Sequence, residues 1–225
     1  MLVFAVLAAW LASLSSEPRY AHRKLSDWLA QFQQTSGDQK EDARQAIREI
    51  GQEAVPYLLS CVRYESSRPK MMLGGFFERH GIRVVRLPRG WTEPGRIQEM
   101  GVGGFRALGD KAIGAIPDLA LYLTNGPFHA NAGFALAGIG PASVPALVQA
   151  LSSKHQQARF GAVVALGQLE ADAQPAVPAL LELYQRDPQL RESIRNELQF
   201  IDESVFRDLE KVEQFASPNA APRHR

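Results

Sequence analysis

Residues 134–151 read FALAGIGPASVPALVQAL. Good helix formers surround Gly138, Gly140, Pro141 and Pro145, which fall within eight residues of one another. Proline inside a helix removes a backbone donor and clashes with the preceding turn, at about 3 kcal/mol. One continuous helix therefore cannot run through this stretch. The arrangement recurs: AIREIG (46–51), GFRALG (104–109), ALAGIG (135–140) and AVVALG (162–167) each close on glycine. Each is followed by a segment opening on proline: VPYLL (55–59), IPDLA (116–120), VPALV (144–148) and VPALL (177–181). The glycine reads as a left-handed C-cap that stops one helix. The proline reads as a first-turn residue of the next, where its missing N–H costs nothing. The unit is a helical hairpin, and the closing glycines step by 58, 31 and 27 residues.

Counting from each proline, Leu58 and Val62, Leu119 and Leu123, Leu147 and Leu151, and Leu180 and Tyr184 make an apolar stripe on the second helices. A fifth, more charged pair is expected at 190–201 and 204–215, as suits a terminal cap with a polar outer face. A capping helix is expected near 25–35 and a disordered tail over 216–225. Residues 63–96 break the period with eight basic and three acidic residues, a net charge of +5. Pro88, Gly90, Pro94 and Gly95 there predict a loop, with a short helix around 68–79. The expected organisation is a leader or anchor over 1–16, a cap segment over 17–37 and a repeat array over 38–215 that carries the 63–96 insertion.

Several function classes are disfavoured. A net charge of +1 gives no whole-chain bias toward nucleic acid, and the arginines of the insertion are local. The single cysteine, Cys61, excludes an internal disulfide framework and a multi-cysteine zinc site. The five histidines have no helical i, i+4 partner, and Cys61 has no activating partner in the pattern. MGVGGFRALG (100–109) has Arg106 where a dinucleotide fingerprint needs glycine, so its glycines read as helix-packing positions. No catalytic residue, cofactor or metal site is expected. The run LVFAVLAAWLASL (2–14) carries no charge. As helix it would span about 20 Å, short of the roughly 30 Å hydrocarbon core, so it reads as a signal peptide, as part of a membrane anchor that starts upstream, or as an ordinary buried helix. Export or membrane anchoring is expected, with a cytoplasmic location as the alternative.

ARFGAVVALGQLEADAQPAVPALLELY (158–184) and ANAGFALAGIGPASVPALVQALSS (130–153) resemble the HEAT-like repeat superfamily, including the short repeats named after phycobilisome lyases. The resemblance implies an all-α, right-handed α-solenoid of about five helical pairs. EPRYAHRKLSDWLAQF (17–32) is similar to a segment that follows the anchor or signal of some bacterial HEAT-repeat proteins, matching at Pro18, Tyr20, Lys24, Leu25, Trp28 and Leu29. Where that segment has glycine, this chain has Ala21 and His22.

Solenoids of this kind present a groove whose lining varies without disturbing the core. The expected function is a non-enzymatic scaffold that binds a protein partner. The alternatives are an accessory or lyase-like protein handling a cofactor on a partner, and a nucleic-acid-binding solenoid. The polar rows of the second helices give the candidate partner face: Tyr57, Ser60, Arg63, Asp118, Leu121, Gln149 and Glu182.

Overall fold

The computed structural model describes residues 17–64 and 94–216. The expected leader, most of the basic insertion with its helix near 68–79, and all but the first residue of the expected tail lie outside the described residues. The chain forms two compact units, divided after Ala115.

The first unit opens on a two-strand hairpin, β1 (Arg19–Tyr20) and β2 (Arg23–Lys24), followed by α1 (Leu25–Gln34) and α2 (Asp38–Ile50). Then come α3 (Val55–Val62) and α4 (Pro94–Leu108). Pro94 and Gly95, expected in a loop, instead open α4. Proline at a helix start is pre-organised for the α-conformation. Helix α1 packs on α2, α3 packs on α4, and α4 also touches α1 and α2. Small residues allow this. A Cβ at Gly104 would lie 2.2 Å from Leu58 Cδ2, and one at Gly101 would lie 2.9 Å from the Val62 backbone nitrogen. The glycines of 100–109 are thus packing positions.

The turn from β1 to β2 holds two non-glycine residues at positive φ, Ala21 (48°) and His22 (64°). A two-residue hairpin turn favours positive φ at both central positions, hence Asn-Gly. The resembled segment carries glycine at this place, and its absence leaves a strained turn. The hairpin persists because it is tied down elsewhere: Trp28 Nε1 donates to the Tyr20 carbonyl at 3.2 Å, and Leu25 N donates to the Pro18 carbonyl at 2.9 Å. Left-handed backbone costs a non-glycine residue about 1–2 kcal/mol. Ala21→Asn with His22→Gly is therefore expected to stabilise the first unit by about 1–2 kcal/mol, visible as a higher urea midpoint. An unchanged or lower midpoint would show that the turn carries no strain.

The second unit runs α5 (Ile116–Asn125), α6 (His129–Ile139), α7 (Val144–Ala150), α8 (Gln156–Gly167), α9 (Val177–Arg186), α10 (Arg191–Ile201) and α11 (Glu203–Ala216). The described residues are all-α apart from the four-residue hairpin, in keeping with the expected all-α repeat fold. First helices stack in series, α6 on α8 and α8 on α10, while α5 packs on α7. The terminal pair, α10 and α11, falls where the charged fifth repeat is expected.

The repeat register differs from the glycine count. Positive φ occurs at Gly51, Gly109 and Gly140, but the fourth such position is Glu170 (φ 50°), not Gly167. At Gly51 and Gly140 ψ is −136° and −160°, so the stop is not the ordinary left-handed cap but a region open essentially to glycine alone. With Glu170 as the fourth turn residue the steps become 58, 31 and 30. Counting back from the turn, equivalent positions agree. One residue before it stand Ile50, Leu108, Ile139 and Leu169, and four before it stand Ile47, Phe105, Leu136 and Leu166. Five before it stand Ala46, Gly104, Ala135 and Ala165, and all twelve residues are buried. From turn to proline the chain takes five or eight residues, a difference of three, which is one 3₁₀ turn.

Gly167 has another use. A Cβ there would lie 2.5 Å from Glu197 Cδ. Glu197 sits five residues before Asp202, the small-residue position of the other repeats, and burial pushes its carboxyl above the usual range. Gly167 makes the room for it.

The second-helix stripe also shifts at one place. Leu58, Leu119, Leu147 and Leu180 are fully buried, but in α9 the second buried leucine is Leu183, and Tyr184 is only half-buried.

Candidate functional site

The last carbonyls of a helix have no partner within it and must find one elsewhere. Eleven residues before the turn positions Gly109, Gly140 and Glu170 stand Gln98, His129 and Arg159, and eleven before Asp202 stands Arg191. Each meets a carbonyl in the last turn of the preceding second helix or within three residues after it. Gln98 Nε2 donates to the Tyr64 carbonyl at 2.8 Å, and Arg191 Nε donates to the Tyr184 carbonyl at 3.0 Å. Arg159 Nη1 donates to the Ser153 carbonyl at 2.9 Å, and His129 Nδ1 meets the Leu123 carbonyl. Those of the second unit fix the loops between repeats.

In the second unit such a fixed loop edges a groove. It is an open concavity of 560 Å³ walled by α5 (Pro117, Ala120, Leu121, Thr124, Asn125), α7 (Ala146, Gln149) and the loop Ser152–His155. Its surface has an apolar strip, Pro117, Ala120, Leu121 and Ala146, with polar residues at the rim. Leu121 is 54% exposed and among the most exposed large apolar side chains of the described residues. It sits four residues after Pro117, on the row that turns away from the buried Leu119 and Leu123.

The Ser152–His155 loop is locked from behind. Arg159 Nε and Nη2 both donate to Asp187 Oδ2, at 3.0 and 2.6 Å. Arg159 Nη1 also reaches the Lys154 carbonyl at 3.3 Å, and Arg186 Nη2 donates to the Leu151 carbonyl at 3.0 Å. Asp187 Oδ1 accepts from Gln189 N at 3.2 Å, which starts the turn into α10. The rings of His129 and His155 lie 6.2 Å apart beside the same loop. None of these contacts was legible in the repeat pattern. Arg159 and His129 are unlike residues, and Asp187 lies in a connector.

The seven candidate face residues divide between the units. In the second unit Asp118, Leu121, Gln149 and Glu182 are all exposed. Leu121 and Gln149 line one groove, whereas Asp118 and Glu182 are not among its lining residues. Glu182 is 3.9 Å from Arg186 on its own helix. In the first unit Ser60 and Arg63 are exposed, and Ser60 Oγ folds back to donate to the Tyr57 carbonyl at 2.6 Å.

Tyr57 departs from expectation. It is half-buried, hydrogen-bonded to Cys61 and Ser26, and close to Glu17. Burial pushes its phenol well above the ordinary range. The cause is the N-terminal segment: Glu17 Oε1 accepts from Ser26 N at 2.5 Å and brings the start of α1 against this face. Tyr57 is a packing residue, not an open binding residue. Cys61 is buried as expected, and burial pushes its thiol up to about 12. A thiol held neutral in this way is a poor nucleophile.

The comparisons with curated proteins and with solved structures return no match. A family of HEAT repeats matches residues 116–199, the stretch from the start of α5 into α10 that contains the groove. Repeats of this family generally mediate protein–protein interaction. Residues 116–199 are therefore similar to HEAT repeats.

Proposed function

We propose that the protein is a non-enzymatic interaction module and that the groove between α5 and α7 takes an apolar side chain from a protein partner. The observation that carries this reading is Leu121, an exposed leucine in a concavity with an apolar strip and a polar rim. Burying a leucine is worth about 1.5–3 kcal/mol, and no residue of the second unit covers this one. Thr124, Asn125, Gln149, Ser152 and Ser153 supply neutral donors and acceptors at the rim, and Lys154 adds a cation. That combination suits a partner chain held by one apolar anchor and several hydrogen bonds, the usual anatomy of a hot spot and its rim. The period near 30 residues supports the resemblance to the short class of HEAT-like repeats.

A photo-crosslinking residue placed at position 121 in the native host identifies the partner, and binding is then measured with purified proteins. Leu121→Arg is expected to weaken that complex at least about tenfold, at least 1.4 kcal/mol, with an unchanged melting temperature. Phe160→Arg on the outer side of α8, where Phe160 is 41% exposed, should leave binding intact. The reverse pattern would place the binding face on the first helices and refute this groove.

A further inference from the structure

We propose that the β1–β2 hairpin, with Trp28 behind it, is a membrane-surface contact for anionic phospholipid headgroups. Its residues are Arg19, Tyr20, His22, Arg23 and Lys24, all exposed. The turn places three permanent cations within six residues, and none has a carboxylate partner among the described residues. Two carboxylates lie nearby. Glu17 is turned onto the Ser26 backbone N–H, and Asp27 is exposed on the first turn of α1. Behind the cations stands an aromatic pair of interfacial type. Tyr20 is 40% exposed, and its ring lies 6.4 Å from that of Trp28. The Arg23 guanidinium covers the indole at 3.8 Å and donates to Gln31 Oε1 at 2.9 Å. Tyrosine and tryptophan concentrate at headgroup level because one end of each ring system is apolar and the other polar.

Chain geometry selects the occupant. The charge-free apolar run 2–14 ends five residues before Arg19. The four intervening residues, even fully extended, span about 17 Å, which puts Arg19 in the headgroup layer or at most about 10 Å beyond it, roughly one Debye length at 0.1 M salt. A chain held in a bilayer by this run therefore presents the hairpin to the headgroups, and the unpaired cations match their charge. The strained turn fits the same placement, because Ala21 and His22 at positive φ bring Arg19, Tyr20, Arg23 and Lys24 together on one short ribbon. Basic residues near an anionic surface each raise partitioning about fivefold, so three give on the order of a hundredfold at low salt. The effect decays within a Debye length of about 10 Å at 0.1 M salt. This inference is independent of the groove and does not depend on the identity of any protein partner.

The full chain is tested by co-sedimentation with phosphatidylcholine vesicles that contain or lack about 30% phosphatidylglycerol, at low and high salt. The expected result is a preference on the order of a hundredfold for the anionic vesicles, lost at high salt. Arg19→Gln/Arg23→Gln/Lys24→Gln should abolish it. Arg19→Gln/Lys24→Gln, which leaves Arg23 on Trp28, should reduce it about 25-fold, with helix content unchanged by circular dichroism. Arg207→Gln/Lys211→Gln, at exposed cations of α11 away from the groove, should keep it. Equal partitioning into both vesicles, partitioning into neither, or a preference that survives loss of the hairpin cations would overturn the proposal.

Discussion

Arg159→Ala lowers the stability of the second unit by about 3–5 kcal/mol, read as a fall in urea midpoint at constant slope. Arg159 and Asp187 are only 19% and 12% exposed at the side chain. Removing one partner leaves the other charge buried without compensation, and that penalty exceeds what the pair contributes over neutral residues. Arg159 also satisfies the Ser153 and Lys154 carbonyls, so its loss orphans backbone acceptors as well. Lysine should not rescue. A single ammonium cannot meet Asp187 with two nitrogens and two carbonyls with a third. Asp187→Ala should cost a similar amount, and Arg159→Met/Asp187→Leu should cost less than either single change, because no charge is then stranded. The exposed pairs Arg207–Glu203 and Lys211–Asp208 set the scale for comparison. Such pairs are worth at most about 1 kcal/mol. If Arg159→Ala costs no more than that, the buried network does not hold the Ser152–His155 loop, and the groove lacks a fixed wall.

Gly133→Val is expected to cost more than about 3 kcal/mol, beyond the usual overpacking range, because backbone meets backbone. A Cβ on Gly133 of α6 would lie 2.8 Å from the Gly161 carbonyl oxygen of α8, and one on Gly161 would lie 3.1 Å from the His129 carbonyl oxygen. No flexible side chain can yield there, so the helices must separate. The helix-propensity gain on going from glycine to valine, roughly 0.3–0.5 kcal/mol, works against this cost and does not offset it. Gly103→Ala is the control. Its Cβ would come no closer than 3.4 Å to anything, the nearest atom being the end of the flexible Gln33 side chain. There the propensity gain should win, and the protein should be stabilised by up to about 1 kcal/mol. Chemical denaturation of both variants decides the matter. If Gly133→Val is tolerated as well as Gly103→Ala, α6 and α8 do not meet at their glycines.

Much of the architecture was legible without coordinates. Proline cannot sit in a helix interior, and glycine alone reaches the backbone angles found at Gly51 and Gly140, so the two residue types mark starts and stops wherever they recur. The helices of all the pairs outside the basic insertion, the buried leucine two residues after each proline, and the outward row of Ser60, Leu121, Gln149 and Glu182 follow from that punctuation and from helical periodicity. The glycine pattern places the fourth turn at Gly167, three residues before the chain turns at Glu170, a residue that sequence gives no reason to place at positive φ. Only the burial pattern of Leu166 and Leu169 corrects it.

What the sequence determined by itself is therefore local: which residues form helices, where they stop, and which face of each is apolar. Tertiary structure alone decided what those faces meet. Tyr57 reads as an outward residue on its own helix, and it is half-buried because Glu17 and Ser26, about thirty to forty residues earlier, pack over it. Arg159 reads as an ordinary surface arginine, and it becomes a clamp because Asp187, in the next connector, turns toward it. Leu121 and Gln149 read as members of one row, and they become one groove because α5 and α7 lie side by side. Periodicity encodes only short-range neighbours along a helix. Contacts across 28 to 40 residues depend on the three-dimensional stacking of repeats, which fixes who faces whom through steric fit that no single residue type announces.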